Sequence, residues 1–173
     1  MKSIMIGIKP EWVEKILNGE KAIEIRKTKP KCELPIKVYI YCTKRANGFV
    51  KVYDDIPSNE TRSGFKVAWT KPRYLGKVVA EFTLNEVKEH KFNYIFENPE
   101  TNQEELTYNF TTLEMKNTGF DYSWQFDEFL DYYGKEKSLY AWHISDLKIY
   151  DKLKELNNFG LKKAPQSWQY IRE

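Results

Sequence analysis

Apolar positions along the chain change period several times, and those changes mark the elements. Trp12, Val13, Ile16 and Leu17 recur at helical spacing behind Pro10 and Glu11, which suit the first turn of a helix, and Asn18-Gly19 supplies the stop. Period-2 segments follow. Ile23 and Ile25 alternate with Glu24 and Arg26. Ile36, Val38, Ile40 and Cys42 alternate with Lys37, Tyr39 and Tyr41, and Val78, Ala80, Phe82 and Leu84 alternate with Val79, Glu81 and Thr83. These patterns predict strands over 22–27, 36–42 and 76–84. Further strands are expected at 91–97 and 105–111, paired around the turn-rich 98–102, and at 139–144 and 147–150.

A second helix is expected where Ser123 can cap a stripe of Phe126, Phe129, Leu130 and Tyr133 that ends at Gly134, and a third over 152–158. The polar stretch 54–64 is expected to be a loop. No repeat or linker divides the chain. Short strands with few helices predict an α+β domain, a small, mostly antiparallel barrel with two or three helices packed on it. Residues 1–173 are expected to form one domain, with 151–173 as a C-terminal extension.

Composition supports a packed core. The 173 residues are 41% hydrophobic, with 10 Phe, 12 Tyr and 5 Trp, the opposite of a disordered chain. No apolar run nears the ~20 residues that span a bilayer, and no secretory leader pattern opens the chain, so a cytoplasmic protein without a membrane partner is expected. Cys32 and Cys42 have no short paired spacing, and His90 and His143 belong to no zinc motif, so reduced thiols and no metal are expected. Phosphate loops and the G-x-S-x-G elbow are absent, which excludes kinase, ATPase, dehydrogenase and α/β-hydrolase readings; no cofactor is expected.

The net charge of +3 hides an asymmetry: residues 1–80 carry 17 Lys/Arg against 8 Asp/Glu, while residues 81–173 carry 11 against 17. A basic half of this kind can attract phosphates, or it can be an ordinary solvated surface. Lys27 and Lys29 (with Lys31) would share one face if extended, and together with Lys9, Lys44 and Arg45 they are candidate phosphate contacts. Tyr39, Tyr41, Trp69 and Trp142 stand on or near expected strands. Each can pack in the core or stack on a base, and Tyr41 and Trp142 are taken as the stacking candidates. Trp142 and His143 fall on opposite faces of their strand.

The densest chemical feature is Gly19-Glu-Lys21-Ala-Ile-Glu24-Ile-Arg26. Strand alternation puts Glu24 and Arg26 on one face, about 7 Å apart along the backbone, suited to an ion pair or to a shared ligand. Lys21 beside Arg26 would have its ammonium disfavoured, which would make it a base or nucleophile; equally, Glu24 can neutralise both cations and leave an anion-binding pocket.

This Gly19-x-Lys21-x-x-Glu24-x-Arg26 segment, behind a helix that starts at Lys9-Pro10, resembles the signature of the ASCH family. The stretch Leu139-Tyr-Ala-Trp-His-Ile-Ser145 is similar to the closing strands of phage and Firmicute members, and the likeness covers roughly residues 3–150. The resemblance implies a PUA-like β-barrel with a cleft lined by the motif, and a module that binds RNA or a modified nucleotide. It also implies an alternative, a metal-independent amidohydrolase of acylated nucleosides such as N4-acetylcytidine. In that reading Lys21 is nucleophile or base, Glu24 proton carrier and Arg26 charge stabiliser. The amidohydrolase members have Thr where this chain has Glu24, and their distant Glu has candidates here in Glu81, Glu89 and Glu114. A third reading is a protein-interaction adaptor, for which the chain names no partner.

Overall fold

The computed structural model describes residues 2–44, 50–55, 65–70, 73–97, 104–108, 110–119 and 136–172. Nine strands and two helices are present among them: β1 (Lys2–Ile8), α1 (Pro10–Leu17), β2 (Ile23–Arg26), β3 (Ile36–Cys42), β4 (Val50–Asp55), β5 (Phe65–Thr70), β6 (Val78–Glu97), β7 (Glu104–Tyr108), α2 (Thr112–Asn117), β8 (Ser138–Lys154) and β9 (Trp168–Arg172). The α+β class matches the expectation.

The chain divides into two compact units. The first gathers Met1–Leu17, Val38–Glu81 and Lys148–Glu173, and the second Asn18–Lys37 and Phe82–Leu147. The long strands β6 and β8 each run through both. In the first unit β1 is central: it pairs in parallel with β3, Ile4 opposite Val38, and antiparallel with β9, Ile4 opposite Tyr170. Six of its seven residues are buried, so it shows no period-2 alternation and escapes a search for one. Val13 and Ile16 of α1 are buried as its stripe predicts. β4 and β5 form a separate antiparallel ladder, Val50 opposite Thr70. Asp54 and Asp55, placed in a loop by composition, belong to β4; residues 56–64 lie outside those described.

In the second unit β2 pairs antiparallel with β8, Glu24 opposite Trp142 and Arg26 opposite Tyr140, and β6 pairs antiparallel with β7. β2 and β9 are the end strands of the hydrogen-bonded order.

Further expectations need correction. The strand expected over 105–111 is β7, Glu104–Tyr108, and Thr111 instead caps α2. The strands at 139–144 and 147–150 are one, because Asp146 absorbs the local irregularity at φ 49°, a conformation Asp tolerates, without ending the ladder. The helix expected over 152–158 is instead the end of β8 followed by a 3₁₀ turn, Leu156–Phe159. Here a contact between strands overrides a weak helical pattern: Tyr150 of β8 donates to the Glu81 carboxylate of β6 at 2.5 Å. The segments 76–84 and 91–97 likewise join into the 20 residues of β6. The helix expected from Ser123 lies outside the described residues. No helix among those described is long and apolar enough to cross a membrane.

Candidate functional site

The motif residues meet in the second unit. Gly19 sits at φ 77°, a left-handed conformation open to glycine, and turns the chain from α1 toward β2. The backbone then locks in on both sides. Ala22 donates to the carbonyl of Asn117 at 2.8 Å, and its own carbonyl accepts from Ile144 at 2.9 Å. This places Lys21 at the end of α2, where its Nζ donates to the carbonyls of Thr118 and Ile23, both at 2.7 Å. The Glu24 Oε2 lies 3.2 Å away, and its Oε1 lies 2.9 Å from Nη2 of Arg26. One carboxylate therefore bridges two cations, one on each oxygen.

Burial makes this cluster unlike a surface ion pair. The side chains of Lys21, Glu24 and Arg26 are 2%, 8% and 12% exposed. Desolvating charges is costly unless each is paired and hydrogen-bonded, and here the pairing is supplied in full view. An ammonium has three N–H donors, and two carbonyls and a carboxylate stand within reach of this one. Such surroundings fit a charged lysine held in place, not an amine with a lone pair to offer. Thr118, whose carbonyl completes the set, is itself buried and its hydroxyl donates to Met115 at 2.6 Å. It lies 97 residues from Lys21, and no local motif could have revealed it.

The other candidate residues separate into two groups. Trp142 shares the cluster's face of the sheet, opposite Glu24, but is fully buried, and its indole N–H donates to the carbonyl of Thr28 at 3.2 Å. It is a core residue rather than an exposed ring. Lys27 pairs with Glu136 at 3.0 Å, and Lys29 reaches Glu89 at 3.8 Å while lying 5.3 Å from the Tyr140 ring. Both stay at the surface with their charge partly balanced. Lys9, Tyr41 and Lys44 belong to the first unit. The carbonyl of Lys9 accepts from Trp12 and Val13 and so starts α1. Tyr41 is buried against Met5, Tyr39, Val78 and Ile171, and burial, with Cys42 and Glu155 adding to it against Lys77, pushes its hydroxyl pKa up. Lys44 is exposed, its stem folded over Gly76. Arg45 lies outside the described residues.

All three candidates for a distant Glu are engaged elsewhere. Glu81 accepts from Tyr150, and Glu89 accepts from Ser138 at 2.8 Å. Glu114 caps α2: its carboxylate accepts from the Thr111 amide at 2.8 Å, while the Thr111 hydroxyl accepts from the Glu114 amide at 3.2 Å. Burial alone would raise the Glu114 pKa, but the Lys88 ammonium, Thr111 and His90 outweigh it and hold it at about 2. The Thr111-x-x-Glu114 spacing is a capping box readable from sequence, and it was the missed signal for α2.

No sequence-family profile matches the chain, and no curated protein matches it either. Solved structures do. The crystal structure of ASCH from Zymomonas mobilis superposes with a TM-score of 0.59 at 14% identity, covering 99% of this chain and 88% of that one. Two single-residue variants of the same protein, one Tyr-to-Phe and one Ser-to-Ala, each superpose with a TM-score of 0.58 at 15% identity. They cover 100% and 99% of this chain and 92% and 89% of theirs. At such identities the likeness is one of fold, and it spans nearly the whole chain: this protein has the fold of the ASCH structures.

Proposed function

We propose that the chain, acting as one domain, is a nucleic-acid-binding module that takes RNA or a modified nucleotide at the Lys21–Glu24–Arg26 cluster. The observation that carries this reading is the charge balance of that cluster. Two cations share one carboxylate, leaving one net positive charge in surroundings where water screens it poorly. Arg26 is the most exposed member, and its planar fork suits phosphate oxygens or the acceptor edge of a base. Lys27 and Lys29 follow directly and would add weaker, screened attraction.

The amidohydrolase alternative asks Lys21 to act as nucleophile or base. Three acceptors around its Nζ favour a fixed cation instead, and Glu81, Glu89 and Glu114 have other partners. The adaptor alternative asks for a contiguous apolar patch. The large exposed apolar side chains among the described residues are Leu113 on α2 and Ile149 and Leu153 on β8, and none of them carries the reading further.

A pool of single-stranded and structured RNA, titrated at 50 and 200 mM salt, tests the proposal. Binding that weakens with salt and weakens again in Arg26→Ala is the expected result. Absence of binding to every RNA, or turnover of N4-acetylcytidine that Lys21→Ala abolishes, overturns it.

A further inference from the structure

The chain leaves β2 at Arg26 and runs on past the end of the strand through Lys27, Thr28 and Lys29, all three exposed. One hold on this run comes from the core. Trp142 of β8 is fully buried opposite Glu24, and its indole N–H donates to the Thr28 carbonyl at 3.2 Å, across 114 residues of chain. A phenyl or aliphatic group would serve packing alone. An indole brings a donor as well, and burial obliges that donor to find a partner. Here the partner is main chain at the surface, between two lysines.

Those two lysines already hold anions. The Lys27 ammonium lies 3.0 Å from the Glu136 carboxylate, and that of Lys29 lies 3.8 Å from Glu89 and 5.3 Å from the Tyr140 ring. Tyr140 stands opposite Arg26 in the register of β2 and β8, so the indole tie, the ring and the run all belong to the strand pair that carries the cluster. Both ion pairs are largely open to water. Such pairs are weak and screened, so the phosphate oxygens of a ligand can take the place of the carboxylates.

We infer that Trp142 is a positioning residue of the nucleic-acid site: its indole N–H fixes the run beyond Arg26 so that Lys27 and Lys29 meet the phosphates of an RNA strand held at the cluster. Ordering a loop and two long side chains at the moment of binding lowers affinity, and a tie made on folding removes part of that loss. Trp142 touches no ligand in this arrangement and acts through the lysines. The inference rests on the nucleic-acid reading of the cluster. It deepens that reading by naming the ligand as a strand, whose phosphates reach beyond a single nucleotide.

The test uses the full chain and a fluorescein-labelled oligouridylate of 12 nucleotides, titrated over a salt series. The double variant Lys27→Ala/Lys29→Ala should flatten the slope of log K against log salt by about 1.4, since each single-strand phosphate contact contributes roughly 0.7. Trp142→Phe keeps a ring in the core and removes the N–H, and it should flatten the slope in the same direction. Added to the lysine pair, it should change affinity by less than about twofold, because the lysines through which it acts are already gone. Thermal melts identify a loss of fold. Should Trp142→Phe not fold, the indole N–H resonance of Trp142 takes its place: it should shift when oligouridylate is added to the wild type and stay put in the lysine pair. The inference fails if the lysine pair keeps the full slope, if Trp142→Phe weakens binding equally with and without the lysines, or if the resonance shifts alike in both proteins. In each of these cases a wild type that binds, and binds less well as Arg26→Ala, leaves the cluster reading standing. If neither oligouridylate nor any structured RNA binds the wild type, both readings fall together.

Discussion

The side chain of Lys21 donates to the main-chain carbonyl of Thr118 at 2.7 Å, joining the entry of β2 to the end of α2 across 97 residues of chain. This bond makes the motif lysine a structural tie as well as part of a charged cluster. Loss of the ammonium would leave two buried carbonyls without it and half of the Glu24 carboxylate unpaired. Lys21→Met should therefore lower stability by about 3 kcal/mol, as for other broken buried pairs, measured by urea unfolding. A loss below the size of a surface pair would show that the tie carries little.

Arg26 should separate binding from stability. Arg26→Lys keeps the positive charge beside Glu24 but replaces the flat fork with a point charge. RNA affinity should drop about tenfold, the loss of one charge-assisted hydrogen bond, while the salt slope stays unchanged. Unchanged RNA affinity in this variant would mean that the positive charge alone suffices.

Glu114 predicts the acid limit of the second unit. Its folded pKa of about 2 lies below the ordinary value of 4.5, so the stability it contributes is present above pH 4.5 and is lost as the pH falls toward 2. Glu114→Gln should remove this dependence between those values in a pH series of thermal melts. Lys88→Met, which takes away the ammonium paired with Glu114, should move the loss to higher pH.

The helix that Glu114 caps offers a smaller, local check. Thr111→Ala removes the hydroxyl that accepts from the Glu114 amide and should cost about 1 kcal/mol, the usual value for a lost N-cap. An unchanged melting temperature would mean that α2 is held by its packing alone.

Cys42 should be inert where Cys32 is not. Burial first, then Glu11 and Glu14, pushes the Cys42 thiol up to about 12, and only the thiolate reacts. Alkylation of the native protein near pH 7.5 should label Cys32, half-buried, and leave Cys42 untouched until the chain is unfolded. Equal labelling rates for the two would contradict the burial of Cys42.

Some of this was open to a reading of the residues. Pro10, Glu11 and Asn18-Gly19 bound α1, and the Glu24/Arg26 alternation foretold an ion pair on one strand face, because both depend on neighbours within a few positions. The features that escaped depend on distant partners. β1 is paired along both edges, by β3 and β9, and six of its seven residues are buried, so its burial shows no alternation of one face in and one face out. The two strands expected over 139–144 and 147–150 are one because the ladder carries on through Asp146. The cluster's composition was legible and its burial was not. The burial depends on partners far off in the sequence, such as Thr118, whose carbonyl accepts from Lys21, and Asn117, whose carbonyl accepts from Ala22 beside it.

The pairing of β9 with β1 bears on aggregation. Lys-Ser-Ile-Met-Ile-Gly-Ile, the sequence of β1, is mostly apolar and uncharged beyond its first residue. Stripped of β9, it would expose a row of free amides and carbonyls beside Ile4, Met5 and Ile6, a template for edge-to-edge aggregation. The partner that prevents this lies 166 residues away at Tyr170, opposite Ile4, so the protection arrives late in folding. A chain truncated before Trp168 should form sedimenting, thioflavin-positive aggregates at concentrations where the full chain stays in solution, with the last strand acting as a gatekeeper for the first.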